Sequence, residues 1–251
     1  MLKPYAFLGK PRQFFDLCKV YPPTVNDVVE NDFEVYYSML TMTQEELDDE
    51  FSGKTDEEGN PLYIPTPLEF LLANAERDDQ FYTQALKAIE FFIHDKCALL
   101  IDYKSILIGD IEQVIQQMND INDLKLITDE NFFLFQNMIR EACGRDTVIP
   151  KENLSKLHPK VRAMKAKARE RDKIKAKQEA KKAPSLEVLL ASVCCMGIGL
   201  TPLNIGEISY ASISKLIEAN QKKENYQLDC NSLLVGGDPK KVKYWIRNSE
   251  N

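Results

Sequence analysis

Histidine is scarce in this chain of 251 residues, and the patterns that surround a catalytic or metal-binding histidine are missing. The two histidines are His94, at the end of a predicted amphipathic helix, and His158, which precedes a proline. A Ser/His/Asp or Cys/His nucleophile would have to use one of them. Neither context supports that role, so we predict structural or solvent-exposed positions for both.

Cysteine pairs with metal or redox spacing are also missing. The six cysteines show no CxxC motif, which favours reduced thiols over a disulfide framework. The carboxylates at 48–50 and 56–58 lack the alternating oxygen ligands of an EF-hand, and residues 236–241 (GGDPKK) lack the spacing of a phosphate-binding loop. The sequence therefore predicts a protein that is not an enzyme, with no cofactor, no metal and no small-molecule substrate.

Long apolar runs are absent as well. The best candidate, residues 186–200, is shorter than the roughly 18 residues that a membrane span needs, and it contains Glu187. The first residues lack the apolar stretch of a secretion signal. We therefore expect a cytoplasmic protein with no membrane contact.

Charge is present in abundance and is separated along the chain. Residues 151–182, the basic strip, hold thirteen Lys or Arg and four acidic residues, a net charge of +9. Residues 1–150 hold 12 basic and 28 acidic residues, a net charge of −16, and residues 183–251 are neutral. This separation predicts three segments: an acidic helical domain at 1–150, a basic helical connector at 151–184 and a small helical domain at 185–251.

The periodicity predicts a mostly α fold. Thr24, Thr43 and Thr66 each stand three residues before an acidic residue, which is typical of helix starts. Apolar residues recur at three and four over 78–95, and an aromatic helix is predicted over 129–143. Short apolar runs on either side of residues 102–104 suggest a small β-hairpin.

The C-terminal segment is predicted to be helical too. Residues 186–196 are nearly all apolar, which predicts a buried helix. A helix is expected over 209–220, a short element over 228–235, and a last element that carries Tyr244 and Trp245.

The basic strip has three interpretations. It is a solvated connector, a docking strip for an acidic protein surface such as its own N-terminal domain, or a nucleic-acid contact. An overall net charge of −7 and the lack of stacking aromatic residues in the strip disfavour nucleic acid. The candidate interaction residues are Lys160, Arg162, Lys165, Lys167, Arg169, Arg171, Lys173, Lys175, Lys177, Tyr244 and Trp245.

Several stretches together resemble a known group of proteins. They are residues 22–25 (PPTV), 66–72 (TPLEFLL), the basic strip, 209–211 (SYA) and 243–248 (KYWIRN). This layout resembles small helical proteins from the tail modules of phages and prophages of Gram-positive bacteria, and is similar in character to tail assembly chaperones. The resemblance implies a non-enzymatic helper that binds the tape-measure or tail-tube protein in the bacterial host cytoplasm, or else a minor component of the virion.

Three hypotheses follow. The first is a binding protein of phage tail assembly, the second a structural subunit that associates with itself or with other virion proteins, and the third a nucleic-acid-binding regulator that uses the basic strip.

Overall fold

The computed structural model describes residues 3–51, 54–55, 58, 62–111, 124–148, 164, 171, 175, 184–234 and 236. The sequence also predicts a helix at 111–118 and a charged loop at 53–61. The helix beyond Ile111, most of the loop and most of the basic strip lie outside the described residues. Contacts divide the chain into a first unit, Met1–Thr147 with Leu203–Ser212, and a second unit, Val148–Pro202 with Ile213–Asn251. The predicted segment 185–251 thus shares residues with both units.

The described part of the chain is mostly helical, with a small amount of antiparallel sheet. The helices are α1 Pro4–Phe7, α2 Val25–Glu30, α3 Phe33–Thr41, α4 Gln44–Phe51, α5 Pro67–Arg77, α6 Asp79–Ile93, α7 Asp129–Ala142, α8 Leu186–Cys195 and α9 Tyr210–Leu234, with a 3₁₀ turn at Ile205–Glu207. The strands are β1 Arg12–Phe14, β2 Cys18–Val20, β3 Cys97–Leu100, β4 Ser105–Ile108 and β5 Leu126–Ile127.

The helix starts follow from local hydrogen bonding. The Thr24 hydroxyl accepts the backbone N–H of Asp27, whose carboxylate accepts the Thr24 backbone N–H in return. Thr66 and Glu69 form the same reciprocal box at α5. Each box satisfies two of the N–H groups that a helix start leaves without partners. The predictions of helix starts at both threonines are confirmed.

The strands form two small sheets. The predicted hairpin is confirmed: β3 pairs antiparallel with β4 in the register Cys97↔Ile108 and Leu100↔Ser105, and β5 adds a third strand along β4. A second hairpin, β1–β2, pairs Arg12 with Val20 and Phe14 with Cys18. This second hairpin was not predicted from the sequence.

The core of the first unit lies between α6, α7 and α3. α6 buries one face, Ala85, Ala88, Ile89, Phe92 and Ile93, at the spacing expected of an amphipathic helix. α7 contributes Phe132 and Phe135, which are 2% and 0% exposed, as expected for an aromatic helix at the centre of the core.

The carboxyl end of α3 is held by side chains of α7. The buried Gln136 amide donates from Nε2 to the backbone oxygens of Leu40, at 2.9 Å, and Met42, at 2.8 Å. The Arg140 guanidinium donates to the oxygen of Thr41. These bonds satisfy carbonyls that the helix end leaves open, and a cation at this end is favourable for the helix dipole.

Residues 203–212 pack onto the start of the first unit. Thr24 and Ser209 form an antiparallel bridge in which the backbone N–H of Tyr210 donates to the Pro23 oxygen at 2.9 Å. The Ser209 hydroxyl donates to the Ala6 oxygen at 2.6 Å. A Cβ at Gly206 would lie 1.9 Å from Oδ1 of Asn26, so a larger residue here would displace the Asn26 side chain.

Two predictions about the C-terminal helices are wrong. The helix expected over 209–220 continues to Leu234, so the separate element expected at 228–235 is part of α9 apart from its last residue. The apolar helix α8 was expected to be buried, yet only Val193 is. No helix in the described ranges has the length and apolarity that a membrane span requires.

Candidate interaction surfaces

The structure describes two of the eleven predicted interaction residues. Arg171 and Lys175 are both helical and exposed. The other nine, Lys160, Arg162, Lys165, Lys167, Arg169, Lys173, Lys177, Tyr244 and Trp245, lie outside the described residues.

The first surface is the apolar helix α8 in the second unit. Eight of its ten residues are apolar, in the sequence LEVLLASVCC. Val188 is 54% exposed, and Leu189 and Leu190 are only half-buried. Together with the exposed Ala191 and Cys195, these side chains form an apolar surface that Glu187 and Ser192 interrupt, and an exposed apolar patch bordered by polar residues is typical of a surface that a partner covers.

The second surface is the turn of the β1–β2 hairpin, which we call the hairpin tip (Phe15 to Leu17). The Phe15 side chain is 57% exposed, and its backbone has φ 45. For a bulky residue such a left-handed conformation is strained. Residues 15 and 16 face solvent, while Leu17 packs back against the core.

The hairpin is tied to α7, so the position of its tip is set by the fold. Nη1 of Arg12 lies 2.6 Å from Oε2 of Glu141, and the Tyr5 hydroxyl donates to the same oxygen at 3.3 Å. The Phe14 ring lies 5.4 Å from the Phe135 ring in the core. Burial, together with the Glu141 carboxylate, raises the pKa of Tyr5 to about 12, against the lowering effect of Arg12.

A shallow groove borders the hairpin tip. It has a volume of about 370 Å³ and is lined by both Phe14 and Phe15 of the hairpin and by Leu134 and Met138 of α7. Leu134 is 48% exposed, so apolar surface continues from the tip onto α7.

The third surface is a groove along α5, which we call the α5 groove. Its volume is about 380 Å³, and its apolar lining consists of Phe51, Pro65, Phe70, Leu72, Ala73 and Ile101. The Phe51 and Phe70 rings meet edge to face at 6.3 Å. These residues come from α4, from the chain before α5, from α5 itself and from the β3–β4 turn.

Polar side chains at one wall of the α5 groove are paired with one another. The Glu69 carboxylate accepts from Nζ of Lys104 at 2.7 Å, from the Tyr63 hydroxyl at 2.8 Å and from the Thr66 backbone N–H at 3.1 Å. The bond from Lys104, then those from Tyr63 and Thr66, lower the pKa of Glu69 to about 2. Because these groups satisfy each other, the groove is suited to an apolar occupant.

The acidic helix α4 lies beside this groove. Nε2 of Gln44, at its start, donates to the Pro65 oxygen at 3.2 Å, and Phe51, at its end, lines the groove. Five of its eight residues are acidic: Glu45, Glu46, Asp48, Asp49 and Glu50. The groove thus has an apolar floor and a negatively charged flank.

The buried thiols of the first unit are poor nucleophiles. Burial raises the pKa of Cys18 to about 11 and that of Cys97 to about 12, and it raises the pKa of Cys143 still further. A nucleophilic cysteine needs a lowered pKa, which is the opposite of these shifts.

The histidine that the structure describes, His94, stacks on the Tyr21 ring, with the ring centres 4.1 Å apart. Within the described ranges, His, Cys, Asp and Glu side chains form no group that could hold a metal ion.

The hairpin tip and the α5 groove were not predicted from the sequence. The signal for the tip is weak, because β1 and β2 have three residues each and the turn FDL lacks glycine and asparagine. The groove combines residues as far apart as Phe51 and Ile101, which no local pattern links.

Comparisons of the chain with protein-family models, curated proteins and solved structures gave no match.

Proposed function

We propose that this chain is a non-enzymatic protein of phage tail assembly that binds the tape-measure or tail-tube protein in the bacterial host cytoplasm. The resemblance of residues 22–25, 66–72, 209–211 and 243–248 to tail-module proteins supports the class. The exposure of apolar side chains on α8 supports a function that works through binding.

The main structural support for the proposal is the exposed face of α8. A ten-residue apolar helix that buries only Val193 leaves Val188 and its neighbours to contact water. A partner that covers such a face removes apolar area from water, and this burial stabilises the complex by about 25 cal/mol for each Å² of apolar surface. An amphipathic helix of the partner, laid along this face, is the arrangement that we expect.

We propose further contacts with the tail protein outside α8. They involve the candidate residues of the basic strip together with Tyr244 and Trp245. The positive charge of the basic strip suits an acidic region of the partner, where it would speed association and make binding sensitive to salt.

Co-expression of the chain with the tape-measure or tail-tube protein, followed by affinity purification, tests the proposal. We expect the two proteins to purify together. The Val188→Ser variant should weaken the complex, whereas Val29→Ser, which removes an exposed valine from α2 of the first unit, should leave it intact. Failure of the wild-type chain to retain either protein would contradict the proposal.

A second candidate function is that of a minor structural component of the virion or tail. It is favoured by the combination of a positively charged hairpin region and an acidic helix on one unit, which suits a subunit that joins others. Mass spectrometry of purified particles separates the two functions, because a chaperone is absent from finished particles and a structural component is retained.

A further inference from the structure

We propose that the α5 groove of one copy of this chain binds the hairpin tip of a second copy, so that the protein associates with itself head to tail. This goes beyond the proposed function, which concerns a different protein as partner and a different surface, α8.

The hairpin tip has the properties of an inserted side chain. Phe15 is 57% exposed and its backbone is left-handed, a conformation that persists only when the surrounding structure holds it. The ion pair between Arg12 and Glu141 and the packing of Phe14 on Phe135 provide that support. The strained backbone of Phe15 holds its ring in water, and burial of that ring in an assembly would explain why the strain is kept.

The α5 groove has the properties of the receiving site. Phe51, Phe70 and Ile101 offer apolar contacts, and ring-to-ring contact with the two phenylalanines is favourable for an incoming Phe. Tyr63 and Lys104 both already donate to the Glu69 carboxylate. An apolar side chain therefore enters without leaving these polar groups unpaired.

The charges around the two surfaces are opposite. Residues 3–21, which include the hairpin, hold four basic residues, Lys3, Lys10, Arg12 and Lys19, and one acidic residue, Asp16. Lys3 and Arg12 pair with Glu141, and the region with this carboxylate included keeps a net charge of +2. The α4 helix beside the groove holds five acidic residues and no basic one. Because the segment 1–150 is acidic overall, two copies repel each other in most relative orientations. The orientation that brings the hairpin region of one copy to the α4 helix of the other is attractive.

The contact joins two different surfaces, so it is heterologous. Each copy offers one tip and one groove, and repetition of such a contact produces a closed ring or an open filament. An isologous dimer would instead place the same surface on both sides of the interface.

Two variants, one on each surface, test the proposal by light scattering. Phe15→Gly removes the inserted ring and is tolerated by the left-handed backbone. Ala73→Arg fills the groove and repels the basic hairpin. We expect the wild type to exceed the monomer mass of 28.8 kDa at low salt and to dissociate as salt is added, while each variant remains at 28.8 kDa.

Mixing the two variants gives the decisive result. The Ala73→Arg protein keeps its tip and the Phe15→Gly protein keeps its groove, so an equimolar mixture should form a dimer that cannot grow further. An isologous interface through Phe15 predicts no such complex. The Lys19→Glu and Asp48→Lys variants should each self-associate more weakly than the wild type. Their mixture should form assemblies larger than a dimer, because every tip then meets a groove flank of opposite charge.

The proposal is overturned if the wild type stays at 28.8 kDa at low salt across the concentration range, or if the variant mixture yields no dimer although circular dichroism shows both variants folded. Val29→Ser serves as the control and should associate like the wild type. Binding of the tape-measure or tail-tube protein is measured separately, so failure of self-association and failure of the proposed function are distinguishable.

Discussion

Helices α6 and α8 contrast in how apolar content relates to burial. α6 mixes polar and apolar residues, yet it buries Ala85, Ala88, Ile89, Phe92 and Ile93. α8 is the more apolar of the two and buries Val193 alone. The spacing of apolar residues therefore predicted burial better than their number.

The reason is that burial needs a partner surface. α6 packs against α3, α5 and β3, and its polar side is turned away from them. An amphipathic pattern indicates where such partners lie, because the apolar stripe of the helix faces the core and the polar residues face water. α8 has only two polar residues, Glu187 and Ser192, so its pattern indicates the buried side less clearly.

The largest expected effect comes from the core of α6. Phe92→Ala removes a ring that is 0% exposed and should lower the free energy of unfolding by about 3–5 kcal/mol. Denaturant titration measures this, with Val188→Ala on α8 as the matched comparison. Equal losses at the two positions would show that α8 is as well packed as α6.

The next effect concerns the link between α7 and α3. Gln136→Leu keeps a side chain of similar size but removes both donors to Leu40 and Met42, and should cost about 1–3 kcal/mol. Gln80→Leu, at an exposed position near the start of α6, is the control. If both variants unfold at the same denaturant concentration, the buried amide does not stabilise the end of α3.

A smaller effect is pH-dependent and lies at the α5 groove. The folded-state pKa of Glu69, about 2, is below the ordinary value of 4.5, so its bonds stabilise the fold above pH 4.5 and this contribution is lost as the pH falls toward 2. The melting temperature of Glu69→Gln should lie below that of the wild type at neutral pH, and the difference should shrink through this window. The Lys104→Met variant should show a weaker dependence, because it removes the largest cause of the shift. A difference that is constant from pH 7 to pH 2 would contradict the assignment.

The smallest effect on stability is expected on α8. Val188→Ser changes a side chain that is 54% exposed and should alter the free energy of unfolding by no more than about 0.5 kcal/mol. The same variant should nevertheless weaken binding of the tail partner. A large loss of stability would show that the exposed face of α8 belongs to the fold rather than to an interface.

Much of the first unit was predictable from the sequence. The boxes at Thr24 and Thr66, the buried face of α6 and the β3–β4 hairpin all follow from patterns within about fifteen residues of chain. Capping and helical periodicity are local properties, so a single sequence contains them in full.

The candidate surfaces were harder to predict. The strands of the β1–β2 hairpin have three residues each, which is too short to show the alternation of apolar and polar residues that predicts a strand. Phe15 also adopts a left-handed backbone conformation, which phenylalanine disfavours. The interaction residues of the basic strip outside the described ranges, with Tyr244 and Trp245, stay predictions from charge and composition.

The sequence by itself determined that the chain is mostly helical, where several of its helices begin and how its charge is divided, because these depend on neighbouring residues. Only the tertiary structure decided which apolar residues are covered. The bond from Gln136 to Leu40 and the bridge between Thr24 and Ser209 join residues that are about one hundred or more positions apart. Such contacts form because packing brings distant elements together, and the same packing leaves Phe15 and Val188 of α8 exposed.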